Sequence, residues 1–100
     1  MEYNKLVRDG IPDKIQKAGE EFKIHIATEE EYNDKLKEKL VEEANEFASS
    51  GNVEELADLL EVMMALARSK GIDWSEVEHV RKEKLEKRGG FDKRIILDES

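Results

Sequence analysis

Apolar positions in the middle of this chain recur at helical spacing. Leu36, Leu40, Ala44 and Phe47 line one face of a helix that turns about 100° per residue. After a Ser49-Ser50-Gly51-Asn52 break, Leu56, Leu59, Leu60, Met63 and Ala67 repeat the pattern. Thr28 with Glu31, Asn52 with Glu55, and Asp73 with Glu76 stand at capping-box spacing. The pattern therefore predicts three long helices, from Thr28 to about Ala48, from Asn52 to near Gly71, and from Trp74 to about Arg88. Ile11-Pro12 opens a brief helix that Gly19 closes, with Pro12 tolerated in its first turn.

Period-two alternation is confined to the ends of the helical block. Phe22, Ile24 and Ile26 alternate with Lys23 and His25, and Phe91 to Leu97 finishes on Ile95-Ile96-Leu97. These segments predict two short strands paired as a ribbon at one end of the helices, with His25 on the solvent side. Two strands alone are marginal, so the ribbon would have to lie on the helices or across a partner chain. The expected fold is mainly α: a single helical-bundle domain over residues 1–100 with a minor two-stranded β ribbon. The second long helix is apolar round well over half its circumference, from Val53 through Val62, Met63, Met64 and Leu66. Such a helix has to be covered on several sides, either at the centre of a bundle or at a subunit interface.

Composition narrows the function classes. A chain of 100 residues can bury only a small core, so association with copies of itself would add stability. The net charge of −8 argues against a nucleic-acid surface. It leaves room for a small anionic substrate, because a bound cation inverts the local field. With no cysteine there is neither a disulfide framework nor thiol chemistry. No apolar run approaches membrane-spanning length, no signal-peptide core is visible, and the cytoplasm is the expected location.

The chemistry that stands out is acidic. Glu43 projects within about 20° of the edge of the first apolar stripe, between Leu40 and Phe47, and Glu46 follows beside it. On the next helix Glu55 lies close to Val62 and Leu66, with Asp58 at the border of the stripe. Two acid pairs on facing helices would bring four carboxylates together, largely out of water, where they need either protons or a cation. Oxygen ligands without cysteine or a nearby histidine suit Mg²⁺, or Mn²⁺ as its alternative. A plainer reading stands beside this one. Glu55 would reach back to the Asn52 amide in a capping box, and Glu42, Glu43 and Glu46 would form a solvated face. Either acid pair alone favours the plainer reading, and both pairs together favour the metal site.

The third long helix carries Arg81, Lys84 and Arg88 where its inward stripe should continue from Trp74 and Val77. Two readings are open, a phosphate clamp facing the acids or stems that cover apolar surface near a helix C-terminus.

The pattern Glu42-Glu43-x-x-Glu46 followed by Glu55-x-x-Asp58 resembles the EExxE…ExxD signature of the all-α, MazG-like nucleoside triphosphate pyrophosphohydrolase superfamily. Tyr3-Asn4-Lys5-Leu6-Val7-Arg8-Asp9 with Ile11-Pro12, and Lys84 to Arg88 with Gly89-Gly90-Phe91, resemble the opening and close of its phosphoribosyl-ATP-pyrophosphohydrolase-like subgroup. Gly10 departs from that subgroup, which usually has Lys there. The resemblance implies an all-α NTP pyrophosphatase-type bundle that assembles as a dimer or tetramer. It implies Mg²⁺ held by Glu43, Glu46, Glu55 and Asp58, and cleavage of a nucleoside triphosphate between the α- and β-phosphates.

On this view Glu42, Glu43 and Glu46 make up the catalytic set, with Glu42 or Glu46 accepting a proton from the attacking water. Lys5, Arg8, Asp9, Lys84 and Arg88 make up the substrate-contacting set, the cations neutralising the departing pyrophosphate. The substrate is a nucleoside triphosphate, in a house-cleaning role on the nucleotide pool, with no nucleic acid or membrane partner. The rivals are hydrolysis of phosphoribosyl-ATP in histidine biosynthesis, and a non-catalytic helical oligomerisation or regulatory module. Tyr3, Phe47 and Trp74 are the aromatic groups available to stack on a base, with packing the better assignment for the last two.

Overall fold

Local capping chemistry sets where the three long helices begin. A computed structural model describes residues 4–100, leaving Tyr3 outside the described residues. It contains α1 (Ile11–Lys17), α2 (Glu29–Ser50), α3 (Val53–Ser69) and α4 (Trp74–Arg88). The Thr28 hydroxyl accepts the Glu31 amide at 3.2 Å, and three glutamates in the first turn of α2 complement its dipole. Gly51 ends α2 in the left-handed region at φ 67°, its amide donating to the Phe47 carbonyl at 2.8 Å. Asn52 starts α3 immediately, so α2 and α3 form a tight antiparallel hairpin. Asp73 starts α4, accepting the Ser75 amide at 3.0 Å and the Ser75 hydroxyl at 2.9 Å.

Packing is concentrated in the hairpin. Leu36 is 2% exposed, Val62 and Ala67 are each 8% exposed, and with Glu43 they are the buried residues. The α4 helix touches only α3, and α1 packs on no other helix. The radius of gyration is 18.0 Å, against about 13 Å for a compact chain of this length.

Two expectations need correction. Neither residues 22–27 nor 91–97 form a strand, and no β ribbon exists among the described residues. Ile26 is 89% exposed, and Ile95, Ile96 and Leu97 are each more than three-quarters exposed. With no helix face beneath them, alternating side chains have nothing to bury against, and a two-stranded ribbon lacks the support it needs. The second correction concerns α3. It presents Glu55, Asp58, Leu59, Val62, Leu66 and Ser69, together with Met64, Ala65 and Ala67, as covered or half-covered positions, while Val53, Leu56, Leu60 and Met63 of the apolar arc face outward. The helix is too apolar for spacing to select one face, and α2 meets the edge of its apolar arc rather than the centre. Of the two expected placements, a central position in a bundle does not hold within the single chain, and a subunit interface is the other.

Asp73 supplies a pH test of the cap. Its hydrogen bonds to Ser75 hold the carboxyl below its ordinary value of 3.8. A depressed folded-state pKa adds stability above the unfolded value, and that stability is lost as pH falls through the folded one. Asp73→Ala should melt at a lower temperature than wild type at pH 7, with the gap closing in thermal melts below pH 3.8.

Candidate metal centre

The hairpin turn sets the acids of α2 against those of α3. One carboxylate oxygen each from Glu43, Glu55 and Asp58 lie within 4.8 Å of one another. Glu43 is 7% exposed, and Glu55 and Asp58 are half-buried. The cap explains why Glu55 is available. Asn52 Oδ1 accepts the Glu55 amide at 2.9 Å, but the Asn52 amide donates to Ser50 Oγ at 3.3 Å. With that amide already taken, the Glu55 carboxylate has no return bond to make and turns toward the other acids. In α2 the box is likewise half-used, because the Glu31 carboxylate meets exposed His25 Nε2 at 3.0 Å.

Glu43 is the electrostatic centre. Its Oε2 is buried with no hydrogen-bond partner among the described residues, and its Oε1 lies 3.6 Å from Lys39 Nζ. Burial pushes the Glu43 carboxyl above its ordinary value of 4.5. Neighbouring Glu46 pushes the same way, Asp58 adds less, and Lys39 opposes.

The other predicted residues divide clearly. Arg8 reaches from the N-terminal segment to Asp58 Oδ1 at 2.7 Å. Lys5 lies 3.6 Å from Glu42, which is half-buried beside the cluster. Glu46 stands outside the three-acid group, exposed but close enough to act on Glu43. Asp9, Lys84 and Arg88 are exposed, and none makes an ion pair or side-chain hydrogen bond among the described residues. Arg81 pairs with Glu78 at 3.2 Å. The α4 cations thus line a solvent-facing surface here, with no phosphate clamp formed inside the single chain. Lys39 was not picked out by the pattern of acids. The available signal was a Lys four residues before an inward Glu, a spacing that pairs the two on one helix face.

These donors fit a hard divalent cation. All are carboxylate oxygens, and one is a buried oxygen lacking any positive or hydrogen-bonding partner. An antiparallel helix pair with pooled carboxylates and cations at the rim defines an all-α protein with an acidic cluster that could hold a metal ion. The family model described as phosphoribosyl-ATP pyrophosphohydrolase (PRA-PH) matches residues 5–84. The chain belongs to that family, within the MazG-like all-α NTP pyrophosphatase superfamily. It is a nucleotide pyrophosphohydrolase, a hydrolase acting on phosphoric anhydrides. No curated protein and no solved structure matches it.

Glu43→Gln tests the electrostatics. A raised carboxyl pKa makes the native state bind more protons than the unfolded one, so stability falls as pH rises from 4.5 through the folded value. Without divalent ions at pH 7, Glu43→Gln should melt a few degrees above wild type, and the gap should shrink toward pH 4. Adding Mg²⁺ should raise the wild-type midpoint and leave that of Glu43→Gln nearly unmoved in the same melts.

Proposed function

We propose that the protein is a Mg²⁺-dependent nucleoside triphosphate pyrophosphohydrolase, splitting the bond between the α- and β-phosphates to release a monophosphate and pyrophosphate. The observation that carries this reading is the buried carboxyl of Glu43, one oxygen of which has no hydrogen-bond partner among the described residues, gathered with those of Glu55 and Asp58. Family membership supplies the reaction class. Glu43, Glu55 and Asp58 would hold the cation, with Glu46 at the edge of the set. When bound, the ion supplies charge neutralisation at the phosphates and polarisation of the scissile anhydride.

The chain's own residues divide the remaining work. Glu46, exposed beside the cluster, accepts the proton of the attacking water at a carboxylate oxygen. The water oxygen bonds to the α-phosphorus, the α-phosphorus to bridging-oxygen bond breaks, and the electron pair leaves with pyrophosphate. Lys5 and Arg8 at the rim balance the charge that develops there. Glu42, already engaged by Lys5 at 3.6 Å, is the second candidate for the base.

Homo-oligomeric assembly as a dimer or tetramer accompanies this reading. Val53, Leu56, Leu60 and Met63 expose 40–82% of their surface along one line of α3, a line that a second copy would cover. No helix among the described residues is long and apolar enough to cross a membrane, and action on the nucleotide pool places the enzyme in the cytoplasm. The matching family's own description favours a second reading, phosphoribosyl-ATP as the substrate. The acids and cations gathered here address phosphates common to both substrates.

Pyrophosphate release should be measured across standard and modified nucleoside triphosphates and phosphoribosyl-ATP, with and without Mg²⁺. Turnover that requires Mg²⁺ on the triphosphates supports the first reading, and turnover confined to phosphoribosyl-ATP replaces it with the second. Glu55→Ala and Asp58→Ala should abolish the Mg²⁺-dependent release while circular dichroism still reports the helices. Undiminished turnover in either would rule out the metal assignment. Glu46→Gln should lower kcat by about a hundredfold or more with KM little changed, and Glu42→Gln should lower it far less.

A further inference from the structure

The cation reading leaves open what balances the acid cluster before an ion arrives. Arg8 does so from outside the helical hairpin, with Nη2 2.7 Å from Asp58 Oδ1. It uses one donor of a guanidinium that carries several, and makes no other side-chain hydrogen bond or ion pair among the described residues. The pair is exposed on both sides, at 59% and 43%, so it is a weak surface pair that a stronger ligand can replace. The segment carrying Arg8 is lightly held. It is irregular before α1, α1 packs on no other helix, and its second polar tether is the 3.6 Å Lys5–Glu42 pair.

We propose that Arg8 serves beside Lys39 as a resident counter-ion of the acid cluster, displaced from Asp58 when a divalent cation binds and thereby freed to grip the phosphates of the incoming nucleotide. This rests on the cation-site reading above. The two oxygens of one carboxylate are close neighbours. An ion touching either oxygen of Asp58 would lie within a few ångströms of the guanidinium, and two cations at that separation repel. The contest is unequal. The divalent ion engages Glu43, Glu55 and Asp58 together. Arg8 has only Asp58.

Once released, its planar fork suits bidentate contact with phosphate oxygens, a geometry that Lys does not offer. Glu42 lies outside the three-acid group, so the Lys5 tether survives the exchange and keeps Arg8 beside the site. Binding is then ordered, with the ion first and the phosphates second.

Two measurements with Mg²⁺ alone, without nucleotide, test this. Calorimetric titration should give saturable binding to wild type and about fivefold tighter binding to Arg8→Gln, the equivalent of one removed surface ion pair. Arg81→Gln removes the same charge from the exposed pair with Glu78, outside the cluster, and should bind Mg²⁺ as wild type does. In wild type, trypsin cleavage after Arg8 should accelerate with Mg²⁺ along the same saturation curve. If Arg8→Gln binds no tighter than Arg81→Gln, or if Mg²⁺ leaves cleavage after Arg8 unchanged, the exchange is overturned while the cation site stands. If wild type shows no saturable binding, the cation site falls and the exchange with it.

Discussion

A carboxylate shut between two helices is the constraint on which the rest of this protein turns. Glu43 occupies a position in the α2–α3 contact that packing alone would assign to an aliphatic side chain, and one of its oxygens has no partner. An ionised group held that way raises the free energy of the native state. The surroundings do not relieve it fully. Lys39 offsets part of the charge at 3.6 Å, whereas Glu46 and Asp58 add to it. A fold that keeps such a group in its smallest and best-covered layer has given up stability for an electrostatic field that a cation can occupy. Membership of a pyrophosphohydrolase family gives that field a chemical use, because the substrate's phosphates are themselves anionic and need positive charge between them and the acids.

The cap at Asn52 links backbone economy to this site. A complete capping box would have turned the Glu55 carboxylate back on its own helix. The Ser50 hydroxyl takes the Asn52 amide instead, and the Glu55 carboxylate lies beside Asp58 of its own helix and Glu43 of α2. The tight hairpin has a second consequence. With Gly51 ending α2 and Asn52 starting α3, the last turns of one helix and the first turns of the next are held in register, and that is where the acids lie. Positional precision at the cluster thus follows from a short connection, although the core beneath it is thin.

Much of the remaining apolar surface is uncovered. Residues of α3 that would form the heart of a larger bundle look outward, and α4 runs on past its contact with α3 with Val80 and Leu85 exposed. Phe91 and the Ile95–Leu97 stretch are more exposed still. Segments of this kind have strand-like or stripe-like sequence, but patterning expresses a preference for an interface and does not supply one. The absent ribbon and the outward line of α3 therefore share one cause, which is that a single chain of this size offers too few surfaces to bury all of them.

Helix existence, order and nearly every boundary were legible in the sequence, because caps and stops act within a few residues: Thr28, Asn52 and Asp73 each begin a helix where their hydrogen-bonding side chains require it. The acid spacing likewise pointed to four acids, Glu43, Glu46, Glu55 and Asp58, since helical geometry places i and i+3 residues on one face, and the fold gathers Glu43, Glu55 and Asp58 of them. Tertiary structure alone decided which edge of the uniformly apolar α3 meets α2, that Lys39 and Arg8 are the cations at the cluster, and that Glu46 stands at its margin while Lys84 and Arg88 face solvent. The physical reason is range. Caps and helical faces are set by neighbours a turn away, whereas the charge environment of Glu43 is set by side chains from separate segments, and only folding brings those together.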